Sequence, residues 1–297
     1  MKQLILLMAL AFSSFQANGQ AMDDNQLVVH LQQVYNTWRG AMVKKNANLW
    51  QKYTSTNRLI NVRNRIWSER NPFPQAVFAS PVAPPDITKL KPLRVRVKGN
   101  TAKAIYFGKV DFGVGGQPTD NLFVISYVLE GAIWKYDGGE FVNLDLLPKV
   151  RAEIAAGDYK FFDQADFHPN GVVPPRPIAI PGPAKYIAKV YVFCPGREVK
   201  VQVNRISPHL FQNTKGAEIV IGGARDGQNM VEFTVKDIPG GDPTAPITIR
   251  IYLMSEIDGT KPIKIAQYQI EDGSKPKELG ALNFNITPGV AAKLRRP

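Results

Sequence analysis

The sequence predicts an α+β domain, with helices packed on a curved antiparallel sheet, followed by a second domain that is an all-β sandwich. Three observations predict this order. Apolar residues between positions 24 and 44 recur at helical spacing, residues 93–98 alternate between apolar and basic, and six prolines lie between Pro169 and Pro183. Helix and strand periodicities therefore come first, and a segment unsuited to either a helix or a central strand follows them.

The first 19 residues have the features of a secretory signal peptide. Lys2 gives a positive start, Leu4–Phe12 is an unbroken apolar run, and Ala17 and Gly19 have the small-residue spacing that signal peptidase reads. The run is shorter than the ~20 residues that a membrane-spanning helix needs. Cleavage after Gly19, or near Ala21, would leave a mature chain exported to the periplasm or the medium, with no transmembrane segment.

The first domain is predicted over residues 22–147. Leu93, Val95 and Val97 alternate with Arg94 and Arg96, which predicts a strand whose basic side chains face water. The expected elements are helices at 24–44 and 47–64 and strands at 93–98, 102–112, 121–130, 133–136 and 141–144.

Residues 148–183 are expected to form a helical or irregular segment that packs on the first domain, and then a stiff proline-rich linker with exposed backbone. The second domain covers residues 184–288, and a mobile basic tail covers 289–297. Apolar runs separated by Gly, Pro, Asp and Asn predict strands at 186–193, 199–203, 218–221, 230–235, 247–254 and 263–270.

Four short stretches of the first domain carry a family resemblance. They are Val34-Tyr35-Asn36-Thr37-Trp38, Asn48-Leu49-Trp50, Gly99-Asn100-Thr101-Ala102-Lys103-Ala104 and Ala132-Ile133-Trp134-Lys135-Tyr136. Together they resemble the landmarks of the NTF2-like, or SnoaL-like, cone fold. The resemblance implies a strongly bent antiparallel sheet wrapped on helices around a conical pocket. That fold serves isomerases, dehydratases, binding modules and assembly domains, so it does not by itself select a function.

A second, generic resemblance lies in the second domain. Asp226-Gly227-Gln228-Asn229 precedes Met230-Val231-Glu232-Phe233, and this turn and strand are similar to those of immunoglobulin-like accessory domains.

Large aromatic residues fall on the elements expected around the cone. Aromatic walls with a few polar tips are typical of small-ligand pockets, and also of ordinary core packing, so both interpretations stay open. The candidate pocket residues, which would take a small apolar ligand, are Tyr35, Trp38, Trp50, Tyr53, Tyr106, Tyr127 and Trp134.

No residue is nominated as catalytic. Catalytic members of the family place an Asp or a His inside the cone, whereas His30 is the only histidine here that could belong to it; His168 and His209 lie elsewhere in the chain. No metal site or cofactor motif is expected. Cys194 is the only cysteine, so an intramolecular disulfide is excluded and a buried structural thiol is favoured.

The net charge of +12 is concentrated in two stretches, Lys44–Arg70 and Lys89–Lys109. A basic surface attracts polyanions. Export favours an anionic glycan, a lipid head group or an acidic envelope protein as partner, and nucleic acid is not expected because its binding motifs are missing. A basic surface that serves solubility alone is the other interpretation. The candidate anion-binding residues are Arg58, Arg63, Arg65, Arg94, Arg96 and Lys98.

The sequence therefore favours a non-catalytic binding or assembly protein of a bacterial cell envelope. The alternative is a small-molecule isomerase or dehydratase of the SnoaL type that uses the conical pocket. A third possibility is a structural pair of domains with filled cores.

Overall fold

The computed structural model of the chain describes residues 24–111 and 117–295. The expected signal peptide lies outside these residues. Within them, no helix has both the length and the apolar composition needed to cross a bilayer. Helices come first and three antiparallel sheets of four strands follow, so the protein is of the α+β class.

Three helices open the structure: α1 (Asp24–Val43), α2 (Ala47–Tyr53) and α3 (Thr56–Ser68). The single helix predicted over 47–64 is therefore wrong, and Ser55 is the reason. Its hydroxyl accepts the backbone N–H of Arg58 at 3.1 Å, which caps α3, and its own N–H donates to the Tyr136 carbonyl at 2.9 Å. A capping side chain competes with helix continuation, so a new helix begins after it.

The first sheet has the order β1-β2-β3-β4, in chain sequence. The interruption predicted near residue 137 is a β-bulge within one strand, because Tyr136 pairs with Tyr127 and Gly138 with Ser126, leaving Asp137 as the extra residue. The strands are β1 (Lys91–Lys98), β2 (Thr101–Val110), β3 (Thr119–Glu130) and β4 (Ile133–Asn143).

The first sheet is covered on both faces. Helix α1 packs on one face, and a segment that includes the short helix α4 (Pro148–Ala155) packs Phe162 and Phe167 on the other face against Ile105 and Leu122. The predicted packing of this segment on the first domain is confirmed. We call residues 144–168 the covering segment.

The covering segment corrects one expectation about β1. Arg94 and Arg96 do not lie on a wet face: Arg96 donates to the Phe162 carbonyl at 2.6 Å, pairs with Asp163 at 2.8 Å and is only 17% exposed. Arg94 reaches the same carboxylate at 3.6 Å. Strand alternation correctly grouped the arginines on one face, but residues 66 to 69 positions further along the chain cover that face.

The second half of the chain forms two four-stranded sheets that share one hydrophobic core. The second sheet has the order β11-β10-β5-β8 and the third β12-β9-β6-β7. Val190 and Ile249 of the second sheet belong to the same buried cluster as Val201 and Phe233 of the third. The strands are β5 (Ile187–Phe193), β6 (Arg197–Val203), β7 (Ser207–Gln212), β8 (Lys215–Ile219), β9 (Gly227–Asp237), β10 (Ile247–Met254), β11 (Ile263–Ile270) and β12 (Leu279–Ile286).

The sequence missed β7 and β12 and placed β8 about three residues late. β7 contains Pro208 and is an edge strand, where a missing N–H is tolerated. The expected mobile tail is also wrong in part. Residues Pro288–Lys293 form a short helix, α5, and Leu294 is buried, with its carbonyl accepting the Ser255 hydroxyl at 2.7 Å.

Residues 173–180 of the proline-rich linker form neither helix nor strand, and their backbone is anchored on α3. Prolines lack an N–H, so a proline-rich chain presents mostly carbonyl acceptors. Asn57 donates to the Pro175 carbonyl at 2.6 Å. Asn64 donates to the Ile178 carbonyl at 2.7 Å and accepts the N–H of Ile180 at 3.2 Å. The side-chain amides of one helix face therefore supply what the linker lacks.

The end of α3 also contacts the second half of the chain directly. Ser68 accepts the Gly222 N–H at 2.8 Å, the Trp67 carbonyl accepts the Ala184 N–H at 2.9 Å, and Arg70 pairs with Glu256 at 3.0 Å. The expectation of an exposed linker backbone is thus wrong at Ile180 and Ala184, which are buried, although Pro181 and Pro183 between them are exposed.

Replacing the buried amide of Asn64 tests this anchoring. Asn64→Ala leaves the Ile178 carbonyl and the Ile180 N–H without partners, and buried unsatisfied groups cost about 1–3 kcal/mol. We expect a fall of about 2 kcal/mol in the free energy of unfolding in urea and faster proteolysis between Phe167 and Ala184. Arg65→Ala, at an exposed position of the same helix, is the control: it should lower the free energy of unfolding by less than about 0.5 kcal/mol, because the Arg65–Glu69 pair is a surface one, and should leave proteolysis unchanged. Equal results for the two variants would contradict the anchoring role.

Candidate functional site

Six of the seven candidate pocket aromatics lie in the buried core between α1 and the first sheet. Trp38 stacks on Tyr136 with ring centroids 3.8 Å apart, and Tyr35 lies 5.7 Å from both Trp38 and Phe123. The rings thus pack on one another. The buried six are Tyr35, Trp38, Trp50, Tyr106, Tyr127 and Trp134, and Tyr53 is half-buried at the edge of the same cluster.

The hydroxyls of the buried tyrosines differ in their partners. Tyr35 donates to the Pro85 carbonyl at 2.8 Å. The Tyr127 hydroxyl is buried and has no hydrogen-bond partner among the described residues, and the Tyr106 hydroxyl lies beside Gln32 without reaching hydrogen-bond geometry. A buried hydroxyl without an acceptor is costly, so Tyr127 and Tyr106 are polar positions in this interior where a bound water or ligand atom would be stabilised.

The buried ionisable side chains of this interior are phenols, and the half-buried Asp86 and Asp137 act on Tyr35 and Tyr136 from its edge. Burial raises the pKa of Tyr127 well above its usual value near ~10, and burial also raises the pKa of Tyr35 and of Tyr106. Burial raises the pKa of Tyr136 as well, against the opposing charge of Arg58. At neutral pH these hydroxyls are protonated, and they can donate a hydrogen bond but cannot remove a proton.

The guanidinium groups of the three candidate arginines on α3 already contact neighbouring residues. The Arg58 guanidinium lies 5.0 Å from the Tyr136 ring centroid and donates to the Asp137 carbonyl at 3.3 Å. Arg63 lies 4.8 Å from the Trp67 ring, and Arg65 pairs with Glu69 at 3.5 Å.

The structure separates the two basic stretches. Helix α3 packs against β4, whereas Arg94, Arg96 and the exposed Lys98 lie on β1, at the opposite edge of the first sheet. Arg94 and Arg96 are used to hold the covering segment, and Arg96 also contacts His168. The six candidates therefore do not form one continuous patch, and five of them already contact a carboxylate, a carbonyl or a ring.

A polar network in the second half escaped the sequence analysis. The His209 ring accepts the Ser207 hydroxyl at Nε2, 2.8 Å away, and donates from Nδ1 to the Glu218 carboxylate at 2.7 Å. This order of groups is that of a serine–histidine–carboxylate relay. Ser207 is fully buried, however, and its Oγ also accepts the Ile221 N–H at 2.7 Å, so the network joins β7, β8 and the following loop and presents no nucleophile to solvent. The spacing of Ser207 and His209, two residues apart on one strand face, was its only signal in the sequence.

Cavities of useful size lie away from the aromatic core. One of about 600 Å³ is bordered by Tyr186, Asp226 and Arg295, and a shallow apolar one of about 380 Å³ lies over Leu210 and Leu279 on the third sheet. A third cavity, of about 160 Å³, lies beside the end of the covering segment and is bordered by the candidate aromatic Tyr127 together with Asp137 and His168.

Metal chemistry and thiol chemistry have little support in the described part of the chain. No group of three or more His, Cys, Asp or Glu side chains is placed there to hold a metal ion. Cys194 is buried, as the sequence predicts, and burial raises the pKa of its thiol.

Comparison of the chain with protein-family models, with curated proteins and with solved structures gives no match. Function must therefore be argued from the geometry of these residues.

The unpaired hydroxyl of Tyr127 can be tested by its removal. If nothing accepts its proton, Tyr127→Phe removes a desolvation penalty and should leave the free energy of unfolding unchanged or raise it by about 1 kcal/mol. Tyr35→Phe, which breaks a bond to the Pro85 carbonyl, is the matched control and should lower it by about 1 kcal/mol. A loss of stability in Tyr127→Phe as large as in the control would show that a water or ligand occupies this position.

The network around His209 predicts a pH dependence of stability. Burial lowers the pKa of His209 despite the opposing bond to Glu218, so the unfolded chain binds the proton more readily than the folded chain. The stabilisation from neutral His209 is complete above the unfolded pKa of ~6.5 and is lost as the pH falls below it. His209→Gln should flatten this decline between pH 7.5 and 5.5 in urea unfolding; a decline identical to that of the native chain would exclude His209 as its source.

Proposed function

We propose that the chain is an exported, non-catalytic binding or assembly protein of a bacterial cell envelope. In this proposal the first half is an NTF2-like conical module and the second half an immunoglobulin-like β-sandwich that presents it or docks it to a neighbour. Helices packed on one face of a four-stranded antiparallel sheet support the first part, and two sheets with a common core support the second.

The observation that carries the proposal is the chemistry of the aromatic interior. An acid–base enzyme needs a group that titrates near the working pH and reaches the substrate. The interior offers phenols whose pKa is raised by burial, which supply shape, apolar walls and hydrogen-bond donors. The rings pack on one another and the larger cavities lie elsewhere, so this interior favours a packed, non-catalytic module over an acid–base enzyme.

The Tyr127 hydroxyl also favours the second candidate function. A buried donor without an acceptor could polarise a ligand carbonyl, as an isomerase or dehydratase of the SnoaL type would require. Such an enzyme needs a base beside the donor. The two functions can therefore be distinguished by whether a carboxylate or an imidazole reaches the interior once a ligand is bound.

The partners proposed for the surface are an anionic glycan, a lipid head group or an acidic envelope protein. Removal of the signal peptide would take away Lys2 and lower the formal net charge to +11. Because the arginines on α3 and β1 are mostly engaged in internal contacts, the charge available for a partner is carried elsewhere on the surface.

Fractionation of native host cells tests the proposal. We expect the mature protein in the periplasmic or secreted fraction, with an N-terminus near Gln20 by sequencing. We also expect it to co-sediment with isolated cell envelopes at 50 mM NaCl and to be released at 500 mM, because salt screens exposed charges. An intact Met1 in the cytoplasmic fraction, or no sedimentation with envelopes, would overturn the proposal.

A further inference from the structure

The outward face of the second sheet combines cations with aromatic rings. Every second residue of its strands points away from the common core, and the register sets Tyr191 opposite Arg250, Arg250 opposite Gln267, and Lys189 opposite Tyr252. We define the cationic face by Lys189, Tyr191, Arg250, Tyr252, Lys264 and Gln267.

The charge of this face is of one sign. No outward position in β5, β8, β10 or β11, all of them fully described, is Asp or Glu, and Lys215 adds a further cation at the edge. The nearest carboxylate along the ladder is Glu271, beyond the end of β11. The outward face of the third sheet is different, because Glu198 and Glu232 are interspersed there with Lys200.

Apart from its two tyrosine hydroxyls, the remaining side-chain hydrogen-bonding capacity of the cationic face consists of donors. The Gln267 side-chain oxygen accepts Arg250 Nε at 3.1 Å and Lys264 Nζ at 2.7 Å; that of Gln269 accepts Arg250 Nη2 at 3.3 Å and Gln267 Nε2 at 2.7 Å. An amide oxygen has two lone pairs, so both oxygens are fully used. Ammonium, guanidinium and amide N–H groups are left, and they favour a ligand rich in acceptors, above all in carboxylates.

The two tyrosine rings of this face lie beside its cationic side chains. The Arg250 guanidinium is 5.9 Å from the Tyr191 ring centroid, and Tyr252 lies between Lys189 and Lys264. Both rings are half-buried. They do not protrude as bilayer insertion requires. A half-buried ring does offer a flat apolar floor to the C–H face of a sugar.

We propose that the cationic face binds an acidic polysaccharide, a chain of hydroxylated rings that carry carboxylates. The inference rests on the proposed function, because an exported binding protein would meet such polymers in the envelope. Carboxylates pair with the lysines and Arg250, hydroxyls accept from the amide N–H groups, and the sugar rings lie over Tyr191 and Tyr252.

Matched charge-neutralising variants of the full mature chain test the site. The probe is polygalacturonate, with dextran as the neutral control polymer, measured at 50 mM and 300 mM NaCl. Replacing Lys189→Gln together with Lys264→Gln should raise the dissociation constant about tenfold at low salt. Lys200→Gln together with Lys236→Gln removes the same charge from the third sheet and should change it less than about twofold. Urea midpoints of both variants verify that the fold is retained.

Three outcomes would overturn the inference while the proposed function stands. They are equal binding of polygalacturonate by the two double variants, binding of dextran as tight as that of polygalacturonate, and tighter binding of oligothymidylate or of phosphatidylglycerol vesicles than of polygalacturonate. Should the Lys189/Lys264 variant lose its fold, Tyr252→Leu replaces it, because loss of the ring alone should weaken glycan binding at least threefold. An unchanged affinity in that variant would also overturn the inference. Failure of envelope sedimentation, in contrast, bears on the proposed function itself.

Discussion

The side-chain amide of Asn64 makes the contact on which the arrangement of the chain depends. It is buried, it lies on α3, and it bonds to the backbone at both Ile178 and Ile180, more than one hundred residues away. The other end of α3 is tied to the first sheet through Ser55 and Tyr136. One short helix thus joins the first sheet, the linker and the second half. Without α3, the linker carbonyls would have to be hydrogen-bonded by water, and the two halves of the chain would lose the contacts that both make with this helix.

Buried polar groups fix the geometry of the second half in the same manner. Arg197 is fully buried in β6, where it pairs with Asp237 at 3.2 Å and donates to the carbonyls of Pro243 and Ala245. This guanidinium holds the turn between β9 and β10. Each of its three nitrogens makes one hydrogen bond, and the desolvation of such a buried charge offsets much of its attraction. The apolar strands provide the driving force, and Arg197, like the Ser207–His209–Glu218 network, determines which loops lie where.

Sequence patterns predicted the helices and strands better than they predicted which of these elements pack against one another. Helical spacing gave α1, and period-two alternation gave β1 and most strands of the second half. The pattern at Arg94 and Arg96 predicts which side chains share a face. Whether that face is exposed to solvent depends on the covering segment, which lies far along the chain. The break between α2 and α3 depended on a bond from Ser55 to a strand 81 residues away. Long-range partners of this kind leave no local signal.

The same limit applies to the sites. Burial of the aromatic residues follows from their spacing, whereas the unpaired state of the Tyr127 hydroxyl depends on what faces it from other elements. The alternation of Lys189 and Tyr191, and of Arg250 and Tyr252, is readable in each strand by itself. Their assembly into one surface requires the register between β5 and β10, which a single sequence does not supply.

The covering segment has a consequence for how this chain can be divided in evolution. A sheet with one wet face can be inherited as a unit that ends with its last strand. Here Ile105 and Leu122 of the first sheet depend on Phe162 and Phe167 for burial. A gene rearrangement that stopped at β4 would deliver a sheet with an open apolar surface, prone to association. The smallest heritable unit of the first half therefore ends near residue 168, and the covering segment belongs to it rather than to the linker.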